Sequence, residues 1–324
     1  MNHTQIEPKT CRVCNNHNTR KKSGYQYSWF QCANCLTINR DITELEFTTI
    51  NPSYDPGDFY KELSINNLKK ILDIETKKRF LTNNLRNYSS FSTLKLLDIG
   101  CGMGGYLIAG QELGISCTGI EPSLSHSAIG KNVFGLNIIN TPFDESFRQV
   151  ERYDIILLSH VLEHIFKPKE FLELVFANLT TSGVALINTP NIESLSAKFA
   201  GKYWSMFKPV DHVTLIGPTA IPFICPAHTQ YSYITSEYLA EFLVSIFISL
   251  RDRFKEFSSF ITARHLKDKN DTPAIINVVS SPQKRLAWNL LTFANFPFFL
   301  ITKLLNKQAC LSIRITTKQL SEHH

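Results

Sequence analysis

The spacing of apolar residues changes along the chain, and each change predicts an element. Leu94 to Ile99 is a short apolar run with Asp98 near its end, the pattern of a strand covered on both faces. Glycines follow at 100, 102, 104 and 105, then a helical stretch from Tyr106 to Leu113 and a second strand from Ser116 to Ile120. Further strands are expected to end at Ser159 and His160 and just before Thr189. Strands alternating with helices predict an α/β fold with a parallel sheet. Upstream, Leu63, Leu68, Ile71, Leu72, Phe80, Leu81 and Leu85 recur at helical spacing among lysines and asparagines, so one or two amphipathic helices are expected between 61 and 88. Downstream, Pro218, Pro222 and Pro226 break residues 217–228, which no helix is expected to cross and which read as an inserted loop or lid near 213–230. Ser236 is expected to cap a helix over 237–247, with a strand at 247–254 and a last strand at 310–316.

Composition narrows the class. Of 324 residues, 43% are hydrophobic and 19% charged, which excludes a disordered or collagen-like chain. The net charge of +6, from 34 Lys and Arg against 28 Asp and Glu, is too slight and scattered to mark a dedicated nucleic-acid binder. Residues 1–10 are polar and lack the apolar core of a secretory signal, so a cytoplasmic protein is expected. The stretch 286–302 carries no charge and includes Trp288, Phe293, Phe296, Phe298 and Phe299, but Asn289, Asn295 and Pro297 interrupt it. No transmembrane span is expected there. An apolar helix near 286–305 has three open roles: core, dimer interface or shallow membrane contact at the periphery.

Two C-x-x-C pairs, Cys11 with Cys14 and Cys32 with Cys35, are separated by seventeen residues, the spacing of a four-thiolate zinc site. Each pair presents two thiolates from one tight turn, and four complete a closed tetrahedron, so the Zn2+ would be structural. The residue after the second cysteine of such turns tends toward positive φ, which suits Asn15 better than Leu36. Tyr25, Tyr27, Trp29 and Phe30 read as strands of a ribbon too small to fold without metal. A redox pair or unmetallated thiols are the alternatives. Cys101, Cys117, Cys225 and Cys310 have no such spacing and read as core thiols.

The glycine turn implies a nucleoside ligand. Glu121 closes the second strand twenty-three residues after Asp98, where a carboxylate reaches ribose hydroxyls. Gly100, Gly102 and Gly105 also satisfy the dinucleotide pattern. Asp98 argues against it, because a carboxylate there repels a pyrophosphate and suits an ammonium group. S-adenosylmethionine (SAM) carries an ammonium and a ribose but no phosphate.

LLDIGCGMGGYL (96–107), GIEPS (119–123), YDIILLSHVLEHI (153–165) and GVALINTPN (183–191) together resemble a class I SAM-dependent methyltransferase. That resemblance implies a Rossmann-like seven-stranded sheet with helices on both faces, plus the small N-terminal zinc ribbon. It also implies a cofactor pocket built from Asp98, Gly100, Cys101, Gly102, Gly104, Gly105, Tyr106, Glu121, Pro122, Ser159 and His160. The ribbon and the following YDPGDFY (54–60) resemble bacterial methyltransferases associated with surface-polysaccharide biosynthesis. The expected layout is a ribbon over 1–45, a linker and helical connector over 46–93, and the methyltransferase domain over 94–324.

Ligands of open α/β sheets bind beyond the carboxyl ends of the strands. Catalytic candidates there are His212 as general base, Asp211 to orient it, and His160. His164, four residues after His160, is expected to share its face of a helix, with Glu163 beside them. His228 is a further base candidate, and Tyr203 and Trp204 either stack on an acceptor or pack in the core. The expected reaction is methylation of an O or N of a small-molecule acceptor, such as a sugar or related cell-surface intermediate. Alternatives are a zinc-ribbon RNA methyltransferase and a non-catalytic SAM-binding protein.

Overall fold

Near-continuous apolar segments form the middle of the sheet, and a mostly exposed segment, Thr229–Ser236, forms one edge. The computed structural model of the protein describes residues 9–23, 27–50, 65–148, 150–236 and 308–317, with Leu250 and Lys303. In chain order the ribbon strands are β1 (Thr19–Ser23), β2 (Ser28–Cys32) and β3 (Ile38–Arg40), followed by helices α1 (Glu44–Ile50), α2 (Ile65–Leu72) and α3 (Ile74–Asn84). Then come β4 (Lys95–Ile99), α4 (Gly105–Glu112), β5 (Ser116–Ile120), α5 (Leu124–Phe134), β6 (Ile138–Ile139), β7 (Tyr153–Ser159), α6 (Pro168–Ala177) and β8 (Leu179–Pro190). The chain continues with α7 (Leu195–Ala200), β9 (Thr214–Leu215), α8 (Ile221–Ile224), β10 (Thr229–Ser236) and β11 (Cys310–Thr317).

Seven strands form one sheet in the order β10-β11-β8-β7-β4-β5-β6. The pairs from β8 through β6 are parallel, whereas β11 runs antiparallel to both β8 and β10. This is the class I methyltransferase arrangement that the motifs imply. Alternation along the central strands divides the core. Leu97, Ile99, Ile156 and Leu158 enter one layer with Leu172 and Val175 of α6. Leu96, Ile155 and Leu157 enter the other with Leu81 and Leu85 beside α3 and Leu107 of α4.

The ribbon is sewn into this body. Its sheet runs β1-β2-β3-β9, with Ile38 opposite Leu215 and Asn39 opposite Thr214. Trp29 packs on Phe207 at 5.1 Å between ring centroids, in one core with Ile38, Trp204 and Leu215. Arg12 Nη1 donates to the Val213 carbonyl at 2.7 Å, and the Arg40 amide donates to the same oxygen at 2.9 Å.

Several expectations change. Tyr203 and Trp204 are 6% and 2% exposed and neither lines the cavity; Trp204 belongs to the core that joins ribbon to sheet. Residues 217–228 are not a lid: a 3-10 turn at Pro218–Ala220 leads into α8, and Ala220, Ile221 and Ile224 are buried. Pro218 and Pro222 are tolerated because both sit at the first positions of their helices, where an amide donor is not needed. Ser236 ends strand β10, and the helix expected after it lies outside the described residues. Leu250, the one described residue of the expected strand 247–254, is helical; a short apolar run does not distinguish the two states by periodicity. The linker 51–60, the helix 237–247 and the apolar stretch 286–302 lie outside the described residues. No helix among the described residues is long and apolar enough to cross a membrane.

Candidate functional site

The carboxyl ends of β4, β5 and β7 meet at one cavity of about 800 Å³, a size in the range of small-molecule sites. Gly100 and Gly102 line it after β4, Glu121 and Pro122 after β5, and His160 and Val161 after β7. Gly100 has φ +69°, and a Cβ there would stand 2.6 Å from Val161 Cγ2, so the turn closes on β7 only with glycine. Gly102 has φ +55°, with nothing within 4 Å of where a Cβ would stand; the bare backbone faces the cavity. Its amide donates to Glu121 Oε2 at 2.7 Å, and the Ser123 amide donates to Oε1 at 2.8 Å. The carboxylate thus ties the glycine turn to the start of α5, and each oxygen keeps lone-pair capacity for a ligand hydroxyl.

Asp98 is 1% exposed, and its Oδ1 has no hydrogen-bond partner among the described residues. Burial pushes its carboxyl well above the usual range, Glu121 adds to the rise, and Lys77 opposes it. An orphaned acid oxygen, an open glycine cradle and a partly committed ribose-type carboxylate fit SAM. Neither Asp98 nor the remaining residues expected at the cofactor line the cavity. Cys101 is buried under Gly119, its thiol pushed up by burial. Gly104 caps α4, whose first residue is Gly105. Tyr106 lies edge-on to Phe80, and its hydroxyl accepts from Asn188 Nδ2 at 3.3 Å. Ser159 is the last residue of β7.

The wall opposite carries the histidines. His160 has φ 57°, and this left-handed residue turns the chain out of β7 into a 3-10 turn at Leu162–His164. An α-helical face shared by His160 and His164, as the spacing suggested, therefore does not form. His160 Nδ1 donates to Glu163 Oε1 at 3.0 Å, and Thr189 Oγ1 donates to Glu163 Oε2 at 3.0 Å. Glu163 is fully buried. Burial pushes its carboxyl up, but the His160 hydrogen bond and the imidazoles of His160, His164 and His212 together hold it below the ordinary value.

Asp211 lines the cavity but does not serve His212 as an orienting partner. Its carbonyl and Oδ2 face His164 Nδ1 at 3.1 and 3.5 Å. His212 is 7% exposed, stands off the cavity surface, and donates from Nδ1 to the Met206 carbonyl at 2.8 Å. Consecutive residues leaving a turn into extended chain point to opposite sides, which separates the expected pair. Burial lowers the His212 pKa and keeps the ring neutral. His228 is exposed in the turn before β10, away from the cavity. Phe143 and Phe171 supply an apolar wall, joined by Phe47 of α1. Phe47 reaches the site because Phe166 packs on it at 5.5 Å and the Arg12 guanidinium lies 4.7 Å over Phe166; no local pattern announces this.

In the ribbon the four sulfurs of Cys11, Cys14, Cys32 and Cys35 lie within 4.8 Å of one another. Both residues that follow the C-x-x-C turns adopt positive φ, Asn15 at 54° and Leu36 at 59°. Four converging sulfur donors, three of them at residues with no exposed surface, are the donor set that suits zinc.

Residues 58–243, more than half of the chain, match the sequence pattern of a family described as a methyltransferase domain. The chain belongs to this methyltransferase family. Over 174 residues the methyltransferase is 26% identical to the ubiquinone biosynthesis O-methyltransferase of Bradyrhizobium sp. (strain ORS 278), covering 48% of this chain and 68% of that one. Over 165 residues it is 28% identical to the enzyme of the same name from Rhodopseudomonas palustris (strain HaA2), covering 44% and 64%. The chain thus spans about two thirds of the length of these curated relatives. Among solved structures, a SAM-dependent methyltransferase from Archaeoglobus fulgidus aligns with a TM-score of 0.41 at 18% identity, covering 74% of this chain and 93% of that one. By family and by sheet order, the protein is a SAM-dependent methyltransferase.

Proposed function

We propose that the methyltransferase O-methylates a hydroxyl of a small molecule, with His160 as general base and Glu163 as its positioning partner. The observation that carries this is the hydrogen bond from Nδ1 of His160, which lines the cavity, to the buried Glu163 carboxylate behind it. A carboxylate accepts, so Nδ1 holds the hydrogen and Nε2 is the ring's basic nitrogen. SAM, when bound, supplies an electrophilic methyl on a sulfonium. Glu121 would hold its ribose hydroxyls, Asp98 would answer its ammonium group, and the backbone of Gly100 and Gly102 with Pro122 would line the cradle, with Cys101, Gly104, Gly105, Tyr106 and Ser159 behind that lining. His160 takes the hydroxyl proton as the oxygen becomes nucleophilic. Asp211 borders the acceptor, and His212 braces the wall from behind.

The names of the curated relatives support oxygen as the acceptor atom, and the phenylalanine wall suits an acceptor carrying an aromatic ring. A sugar or related cell-surface intermediate, favoured by the ribbon and the YDPGDFY resemblance, is the second arm of the test. Arg12 and Arg40 of the ribbon are turned inward onto backbone carbonyls, which leaves the ribbon less of the charge that RNA recognition needs. Its four cysteines hold a structural zinc, and the layout is a ribbon over 1–45, a connector over 46–93 and the methyltransferase domain beyond.

The test is conversion of SAM to S-adenosylhomocysteine with a panel of phenols and sugar derivatives. His160→Ala should lower kcat by about 10²- to 10⁴-fold while SAM binding, read by calorimetry, stays unchanged. Full turnover in His160→Ala sinks the assignment.

A further inference from the structure

We propose a second metal site, separate from the cysteine ribbon, in which Glu163, His164 and His212 hold a divalent transition-metal ion, zinc foremost, beside the acceptor wall. Each residue offers one ligand atom, and the three atoms lie within 4.8 Å of one another. The hydrogen bonds around them are those of ligands already oriented. His164 gives Nδ1 to the Asp211 carbonyl at 3.1 Å, and His212 gives Nδ1 to the Met206 carbonyl at 2.8 Å. A carbonyl oxygen can only accept, so both rings carry their hydrogen on Nδ1 and their lone pair on Nε2, the ligating tautomer. The carboxylate is braced by His160 and Thr189. All three ligands therefore have the outer partners that fix metal ligands in place.

Burial points the same way. Glu163 has no exposed surface, and His212 has 7%. The His164 side chain is 31% exposed and lines the cavity. An ion there is anchored from within and keeps a coordination position toward the cavity, as two imidazoles and a carboxylate do in catalytic zinc sites. Bond lengths of about 2.0–2.2 Å place ligand atoms roughly 3 to 3.5 Å apart, so small side-chain rotations complete the site. The segments are pinned for this: the Val213 amide donates to the Glu163 carbonyl at 2.9 Å, and Thr214 Oγ1 to the Ile165 carbonyl at 3.0 Å. No motif spacing reveals the cluster, because His212 comes from a different segment from the adjacent pair Glu163 and His164.

The test is titration of the full-length protein, stripped by chelator under reducing conditions, with Co2+. Cobalt in the ribbon gives an intense near-ultraviolet thiolate charge-transfer band, whereas cobalt on two imidazoles and a carboxylate adds only weak visible d–d absorption. The expected result is two ions per chain, with the thiolate band complete at one. His164→Ala and His212→Ala should each bind one ion and keep the thiolate band, which also reports that the variant is folded. Second-site affinity should fall by at least about ten- to a hundredfold. A wild-type chain that binds one ion, all of it thiolate-bound, overturns the site and leaves a hydrogen-bonded carboxylate among imidazoles. So does a His164→Ala variant that retains both ions with an unchanged visible spectrum. Loss of the thiolate band alone would instead count against zinc in the ribbon.

Discussion

Asp98 shows how a single side chain can oppose stability and, in the proposed SAM pocket, favour binding. Its carboxyl is buried with one oxygen unpartnered, and its pKa in the folded protein lies above the unfolded value of about 3.9. For an acid the sign is clear: the stability linked to this group is present below the unfolded pKa and is lost as pH rises through the folded one. Asp98→Asn removes that loss and should stabilise the SAM-free protein near neutral pH by on the order of 1 kcal/mol, read as a rise in its thermal midpoint. The same change should weaken SAM by at least about tenfold, since a charged hydrogen bond is worth roughly 1.5–3 kcal/mol. An ammonium group favours the ionised acid, so SAM should bind more tightly as pH rises and should release protons. Calorimetry in buffers of different ionisation heat reads this release; equal release by Asp98→Asn would refute the contact. At this scale the sequence shows which chemistry a residue carries but not where it points. Asp211 and His212 were legible as an acid and an imidazole; that they face opposite ways depends on the turn between them.

Elements were legible where geometry demands particular residue types. The strand, glycine turn and helix from Lys95 to Glu112 were readable because positive φ and close approach admit little but glycine. The C-x-x-C turns were readable for a related reason, and Leu36 is the exception within them. A leucine at φ 59° carries a strain of about 1 kcal/mol. Leu36→Asn should relieve part of it and raise ribbon stability by about 0.5–1 kcal/mol, measured as a shift in the denaturation midpoint of the metal-loaded protein. A fall in that midpoint would mean that the half-buried leucine contributes more through packing. Strand β10 was illegible because Thr235 is its one buried residue; an edge strand that buries so little has no apolar alternation to read. The pairing of β3 with β9 was illegible for another reason, as each is only two or three residues long and β9, among the described residues, pairs with β3 alone.

At the scale of the whole molecule, the ribbon is a brace for the acceptor wall. Arg12, Arg40 and β3 hold residues 210–215 from one side, and the turn after β7 holds them from the other. Cys32→Ser, which removes one of the four clustered thiols, should therefore speed hydrogen exchange at residues 210–215 as well as within the ribbon. The glycine turn and SAM affinity should be spared. Faster exchange confined to residues 9–40 would show that the ribbon is not a brace. The contact between Arg12 and Val213 joins positions 201 apart, and this has a consequence for synthesis. At about 5–20 residues per second, the ribbon leaves the ribosome roughly 10–40 s before its partner. During that interval Trp29 and Ile38 have no Phe207 or Leu215 to cover them. A metal bound early by the proposed four-thiolate site would keep those side chains on a formed surface, ready for the late-arriving segment, in place of a loose apolar chain open to other nascent proteins.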